Sequence, residues 1–258
     1  MEIINPTQRD ITCLCIKCGE LLLQHGEESA TIKELSSRLG IALGMDSVES
    51  AISSDFIVLT TIKNQRCFTT TRQIVDRGIN MSTVTAVHHY ISLVENKLID
   101  YFEIKRKLES IKPMEYRRWV VVLTIGFSCA CFCKINGGGW DGALVSFFSS
   151  LIAMYVRLTL AHYKINPQLN FCIVAFVATT VSGILLERSF FRDTSHISMA
   201  ATVLLLVPGF PLINAFSDLF KGNMVTGISR WATATMLTLG TCTGVVMALS
   251  LWEFKGWL

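Results

Sequence analysis

The fold of this 258-residue chain is decided by the stretch W-V-V-V-L-T-I-G-F-S-C-A-C-F-C at residues 119–133. The stretch carries no charge, and it is longer than an ordinary β-strand, which has about 3–10 residues. An uncharged apolar run of this kind is typical of a helix that lies in lipid. We therefore take residues 119–133 as the first membrane span.

Further apolar segments follow, each separated from the next by a short polar break. A helix needs about twenty apolar residues to cross a bilayer. The composition agrees, because 51% of the residues are hydrophobic and only 17% are charged. We predict an α-helical membrane protein with about five transmembrane helices in residues 113–258. The predicted spans lie near residues 119–133, 143–161, 169–186, 197–216 and 227–251.

The N-terminal region, residues 1–112, carries most of the charge and predicts a separate α+β domain. Cys15, Cys18 and Leu22 recur at three-to-four spacing, which is typical of an amphipathic helix. The pattern stops at Gly26, where we expect this helix to end.

A second helix is predicted from its end signals. Thr31 and Glu34 have the spacing of a capping box, and Gly44 is placed to close the helix in a left-handed conformation. Runs of β-branched residues on both sides of a polar turn at 63–65 then predict a small sheet with a hairpin. A long helix is predicted over residues 82–111, either packed on this sheet or in a coiled coil with another subunit.

Cysteine spacing, charge and motifs argue against several classes of protein. Cys13, Cys15 and Cys18 form a C-x-C-x-x-C cluster, but no second cysteine pair or spaced histidine pair follows, so we predict packing residues and no metal site. The net charge is only +3, without a basic stripe, which argues against nucleic-acid binding. We found no nucleotide-binding loop or nucleophile motif, so we expect neither a cofactor nor enzymatic activity.

Basic residues before the first span predict the orientation of the chain. Such clusters stay on the cytoplasmic side of a membrane, so we expect a cytoplasmic N-terminal domain. The cluster consists of Lys105, Arg106, Lys107, Lys112, Arg117 and Arg118.

The fourth predicted span, 197–216, is interrupted by P-G-F-P at residues 208–211. The apolar run before Pro208 is too short to cross a bilayer, and each proline removes a backbone donor. Transporters build substrate sites at breaks of this kind, where the N-terminus of a second half-helix, here with Pro211 at its first position, attracts a carboxylate. Alternatively, the span ends at Pro208 and residues 214–223 form an interfacial loop.

Polar residues that follow the break are candidates for substrate binding. Asn214 and Asp218 are four residues apart and share a helix face, and Gly222 follows one turn later. Arg230, at the start of the last span, is a candidate partner for the Asp218 carboxylate. The candidate substrate-binding set is Pro208, Gly209, Pro211, Asn214, Asp218, Gly222 and Arg230.

Other charged residues lie inside spans or at their edges. Asp141, Glu187 and Arg188 are candidates for a gate or an ion pair, although each could equally be a loop anchor. Arg157 could extend its charge to the membrane surface.

Two stretches near the C-terminus carry a family resemblance. L-V-P-G-F-P-L-I-N-A-F-S-D-L-F-K-G at 206–222 and G-I-S-R at 227–230 together resemble the signature of the threonine/serine exporter (ThrE) family. G-G-G-W-D-G at 137–142 and G-E-L-L-L-Q-H-G-E-E-S at 19–29 resemble further parts of the family pattern. The resemblance therefore covers nearly the whole chain.

The resemblance implies an exporter in a bacterial inner membrane. The chain looks like the larger component of a split exporter, which would act with a small YjjB-like membrane subunit on a small carboxylate, succinate or another dicarboxylate. Fused relatives imply an amino acid, threonine or serine, as the alternative substrate. A homo-oligomer, a regulatory or scaffold subunit with a metabolite-sensing domain, and a membrane-tethered hydrolase are further hypotheses.

Overall fold

A computed structural model of the chain describes residues 6–75, 77–188 and 195–252. The chain divides into two compact units. Unit 1 consists of Met1–Glu115 with Phe210–Trp231, and unit 2 consists of Tyr116–Gly209 with Ala232–Leu258. A segment late in the sequence, Phe210–Trp231, therefore packs together with the N-terminal region.

The N-terminal part of unit 1 is an α+β fold, as predicted. The strands form one antiparallel sheet in the order β1-β2-β3. Asn64 and Gln65, both with positive φ, form the hairpin turn between β2 and β3, where the polar turn was expected. The elements are α1 (Gln8–Gln24), α2 (Ser29–Ala42), β1 (Ser47–Ile52), β2 (Phe56–Lys63), β3 (Arg66–Gln73), α3 (Met81–Glu95) and α4 (Tyr101–Ser110).

Helix α1 buries its predicted apolar face in the core of unit 1. Cys15, Cys18 and Leu22 are fully buried there. Burial raises the pKa of the Cys15 thiol to about 12 and also raises that of Cys18, so both are neutral packing groups at physiological pH. The structure closes α1 at Gly26, with a φ of 89°, as expected.

The capping box predicted for α2 is wrong. The helix begins at Ser29, so Thr31 and Glu34 both lie within it. The Glu28 side chain that precedes the helix makes no capping bond. The Ser29 N–H, which has no acceptor within the helix, instead donates to a buried carboxylate from Phe210–Trp231, a partner that local sequence cannot reveal.

The single long helix predicted over residues 82–111 is also wrong, because α3 and α4 are separate helices. Lys97 adopts a φ of 56°, and its N–H and that of Leu98 donate to the last turn of α3, which ends the helix. Leu98, an apolar residue in the middle of the predicted helix, is 68% exposed. Both helices bury their apolar faces in the same core. The hydrophobic periodicity of the sequence therefore continues across the break and gives no sign of it.

The long apolar helices confirm the predicted membrane protein. By length and composition, 4 helices among the described residues could cross a membrane, or up to 5 if a bent pair counts as one span. They are α5 (Arg118–Ile135), α6 (Trp140–His162), α7 (Pro167–Arg188), α8 (Ser195–Val203) with the 3₁₀ turn Leu204–Leu206, α9 (Gly209–Phe220) and α10 (Met224–Trp252).

The helices of unit 2 pack through small and hydroxyl-bearing side chains. Ala153, Ala175 and Ala178 are fully buried. Ser198 Oγ lies 3.0 Å from Ser146 Oγ. Small side chains let helix backbones approach closely, which is how helices associate where lipid provides no hydrophobic driving force.

We expect Lys97→Gly to stabilise the α3–α4 pair by about 0.5–1 kcal/mol, because glycine adopts a positive φ without the cost of a β-carbon. The measurement is hydrogen exchange of the α3 and α4 amides in the full-length protein, which should slow.

Lys105→Gly is the matched control, since Lys105 lies inside α4 and a glycine there costs about 1 kcal/mol. Exchange in α4 should then become faster. Unchanged or faster exchange in Lys97→Gly would show that the Lys97 conformation is not strained.

Candidate functional site

The helix that carries the P-G-F-P sequence is interrupted. The last turn before the break is the 3₁₀ turn Leu204–Leu206, and Val207 is extended with a φ of −68° and a ψ of 121°. Ile197–Leu206 and Gly209–Phe220 together are long and apolar enough to form one broken span. The depth of the break in a membrane stays a prediction.

Helix α9 begins at Gly209, so the expectation that Pro211 opens the second half-helix is wrong. Pro211 is the third residue of α9, still within the first turn, where N–H groups have no acceptor inside the helix. Its missing N–H therefore costs no helical hydrogen bond. Pro208 is buried, whereas Gly209 is partly exposed with open space where a β-carbon would lie.

Gly222 has a local structural role at the end of α9. Its φ is 81°, and it is exposed. Gly222 N–H donates to the Leu219 carbonyl, and Asn223 N–H donates to the Asp218 carbonyl at 2.8 Å. This is a Schellman motif, which ends α9 and turns the chain into α10.

Asp218 lies at the centre of the candidate site and is completely buried. Its Oδ1 accepts the Ser29 N–H at 3.1 Å, and its Oδ2 accepts the Ser29 hydroxyl at 3.0 Å. Arg230 Nη1 donates to the same Oδ2 at 2.9 Å. The carboxylate therefore caps α2 and also pairs with an arginine.

Arg230 and Asn214 bind the same short loop, Gly26–Ser29. The second terminal nitrogen of Arg230, Nη2, donates to the Glu27 carbonyl at 2.8 Å. Asn214 Nδ2 donates to the Gly26 carbonyl at 2.7 Å. The structure thus contains the Asp218–Arg230 pair that the sequence suggested, and it brings Asn214 to the same loop.

Charged side chains surround this centre. Lys221 Nζ lies 2.6 Å from Glu28 Oε1, and Lys33 donates to the Asn223 side chain. His88 Nε2 lies 3.3 Å from Glu27 Oε2. The Gly26–Ser29 loop is therefore bound to α9 and to the start of α10 by buried and peripheral polar contacts together.

Sequence analysis missed Glu27, Glu28 and Ser29 as site residues. The usable signal was that 19–29 and 206–230 both belong to the family pattern, although nothing in either stretch shows that they touch. Asn214, Asp218 and Arg230 contact the loop of residues 26–29. We call this set of contacts, together with the Asp218–Arg230 ion pair, the loop lock.

The three gate candidates lie elsewhere. Asp141 occupies the first turn of α6, where a carboxylate complements the helix N-terminus, and it forms no ion pair with the described residues. The side chains of Glu187 and Arg188 lie outside the described part of the structure. No group of three or more His, Cys, Asp or Glu residues that could hold a metal occurs among the residues described.

Comparison with known proteins identifies relatives along the whole chain. A protein of Klebsiella aerogenes named "Probable succinate transporter subunit YjjP" is 59% identical over 257 residues, covering 100% of both chains. An Escherichia coli K12 protein of the same name is 59% identical over 97% of this chain and 98% of its own. An "Uncharacterized protein" of Haemophilus influenzae is 34% identical over 83% and 82% of the two chains.

No solved structure matches the chain significantly. Residues 13–252 match a protein-family model described as "Putative threonine/serine exporter". That match includes both sequence stretches that meet in the loop lock. The chain therefore belongs to the threonine/serine exporter family.

Proposed function

We propose that this chain is a subunit of a membrane exporter that moves small carboxylates, with succinate as its main substrate. The observation that carries the proposal is the 59% identity, over essentially the whole chain, to two proteins named as succinate transporter subunits. The long apolar helices of unit 2 are what such a subunit needs to cross a bilayer.

A second membrane protein completes the exporter in this proposal. The word "subunit" in the names of both relatives supports a partner, and we infer that it is the small YjjB-like protein. A unit of five spans, with the bent pair counted as one, is easier to understand as half of a pseudosymmetric assembly than as a whole carrier. The assembly lies in the bacterial inner membrane with residues 1–112 in the cytoplasm, because the basic cluster precedes the first span.

The loop lock is the part of this subunit that we expect to respond during transport. A proton on Asp218 would cancel the charge that holds Arg230, and the guanidinium would lose its only carboxylate contact in the described structure. A buried arginine without a counter-charge is costly, so the lock would open. Proton arrival at Asp218 would thereby couple an ion gradient to movement of the Gly26–Ser29 loop.

The half-helix start at Gly209–Pro211 remains a candidate for contact with substrate. The N–H groups of a first helical turn have no partner within the helix and carry a partial positive charge. Pro208 and Gly209 shape this start, whereas Asn214 and Gly222 act through the loop lock and the α9–α10 turn.

An amino acid is the second candidate substrate, because the family model is described as a threonine/serine exporter. Succinate, threonine and serine all carry a carboxylate. One efflux assay that measures each of them separates the candidates. The chain binds and moves its substrate without chemical change in either case.

We expect cells that lack this chain to retain succinate, because export requires both subunits. Metabolite profiling of cells and medium should show more internal and less external succinate when this chain, its small partner, or both are absent. The double deletion should match each single deletion.

Three results would contradict the proposal. If only the partner's deletion changes succinate, this chain is a regulatory or scaffold subunit. If threonine and serine change instead, the amino acid assignment is correct. Turnover of a substrate by the purified protein would favour the hydrolase hypothesis.

We expect Asp218→Asn and Arg230→Gln each to lower export strongly, since either change leaves a buried polar group without its partner. Breaking one side of a buried ion pair costs about 3–5 kcal/mol. The double variant should recover membrane abundance, because it removes both charges, but it should not recover export. Efflux and immunoblot abundance measured together provide the test.

Glu49→Gln is the control, because Glu49 is exposed on β1 and forms no ion pair with the described residues. Normal export by Asp218→Asn at normal abundance would remove Asp218 from the coupling mechanism. Recovery of export in the double variant would mean that the pair serves stability alone.

A further inference from the structure

We propose that Arg157 of unit 2 binds the carboxylate of the transported molecule. The inference rests on the proposed function, since it names the group that recognises the substrate. Nothing in the loop lock supplies that group, because Asp218 and the Glu27 carbonyl already occupy both terminal nitrogens of Arg230.

Arg157 is unusual among the charged residues of unit 2. It lies more than one turn inside α6, whereas the other charged residues of the described helices in that unit lie at helix ends. A charge within an apolar span is costly and is normally retained where it faces a partner or a pathway.

The contacts of Arg157 with the described residues leave most of its donors unused. Nη1 donates to the Leu205 carbonyl at 3.1 Å, and the guanidinium carbon lies 4.9 Å from the centre of the Phe171 ring. Arginine has five N–H donors in a planar fork. Among the described residues no carboxylate forms an ion pair with it. The fork is thus oriented by a ring and a carbonyl, but its charge is not neutralised.

A second unsatisfied polar group, on Asn170, bonds to the Arg157 main chain and directly precedes Phe171, whose ring the guanidinium faces. Asn170 is 6% exposed, and its Nδ2 donates to the Arg157 carbonyl at 3.3 Å. Its Oδ1 is buried and has no hydrogen-bond partner in the described structure. A buried acceptor without a donor costs about 1–3 kcal/mol, so a ligand that supplies one would be favoured here.

The two groups together define a chemical preference. The Arg157 fork matches a carboxylate, which it can bind with two parallel hydrogen bonds. Asn170 Oδ1 would accept from a donor on the same molecule, such as the hydroxyl of a protonated second carboxyl or an ammonium group. A dicarboxylate carrying one proton and an α-amino acid both present that pair of groups.

The location links binding to the interrupted helix. Leu205 lies in the 3₁₀ turn just before the break at Val207. A substrate carboxylate could bind the unused donors while Nη1 keeps its bond to the Leu205 carbonyl. Binding would therefore hold the substrate next to the last turn before the break.

The competing explanation is structural: Arg157 would only cap this turn and extend its charge toward the membrane surface. A structural arginine affects abundance or rate without changing which molecules bind. A carboxylate-binding arginine also sets the half-saturating concentration and the preference for carboxylates over amides.

Uptake into everted membrane vesicles that contain the full chain and its partner separates these explanations. Labelled succinate and labelled threonine are assayed, with unlabelled succinate and its diamide as competitors. We expect Arg157→Gln to lower uptake at least ~10-fold at equal abundance and to lose the preference for succinate over the diamide. Arg157→Lys should raise the half-saturating concentration, because lysine keeps the charge without the fork.

Arg118→Gln is the matched control, a cation of the same unit whose Nη2 lies 3.2 Å from His162 Nδ1, and it should take up substrate normally. If Arg157→Gln lowers the rate but keeps both the half-saturating concentration and the preference for succinate, the proposal is wrong. If Arg157→Gln is absent from the membrane, Arg157→Lys decides: an unchanged half-saturating concentration overturns the proposal.

Wild-type vesicles that take up neither compound would instead contradict the proposed function. In that event the inference is decided by the Tm of the purified chain with and without succinate. A rise in the wild type that is absent in Arg157→Gln supports Arg157 as the carboxylate site, and no difference between them overturns it.

Discussion

Unit 1 depends on one buried carboxylate. Asp218 accepts the first free N–H of α2, the Ser29 hydroxyl and the Arg230 guanidinium, and it is inaccessible to solvent. Each contact satisfies a group that would otherwise be costly to bury. Because the carboxylate comes from α9 and the other groups come from α2 and α10, one side chain fixes three helices. A protein that must move can release such an arrangement by a single change of charge.

Unit 2 presents the opposite electrostatic situation. Its helices pack through alanine and serine, and hydroxyl groups there bond to backbone carbonyls of neighbouring turns. Arg157 adds a positive charge to this apolar setting without an acidic partner in the described structure. The two arginines are thus different in kind: Arg230 is neutralised by the protein, whereas Arg157 remains available to an anion. Within one exporter subunit, the first suits a switch and the second suits recognition.

The fold class could be predicted because it depends on local composition and period. An apolar run such as 119–133 has few alternatives to a membrane helix, and the hairpin turn at Asn64 and Gln65 is recognisable within a few residues. Predictions failed where a distant partner or a hidden break decided the outcome. The start of α2 depends on Asp218, almost two hundred residues away. At the α3–α4 break the hydrophobic period of the sequence continues, although Lys97 with its positive φ ends α3.

For the candidate site, the sequence by itself determined which residues are candidates: the P-G-F-P break, the spacing of Asn214 and Asp218, and an arginine able to pair with the acid. The tertiary structure decided what these residues touch. Asn214 and Arg230 meet the Gly26–Ser29 loop, and Arg157 meets Leu205 and Phe171 instead of an acid. The physical reason is that helix period and end signals act over a few residues. Burial of a charge, in contrast, is determined by whichever groups the fold brings within hydrogen-bonding distance.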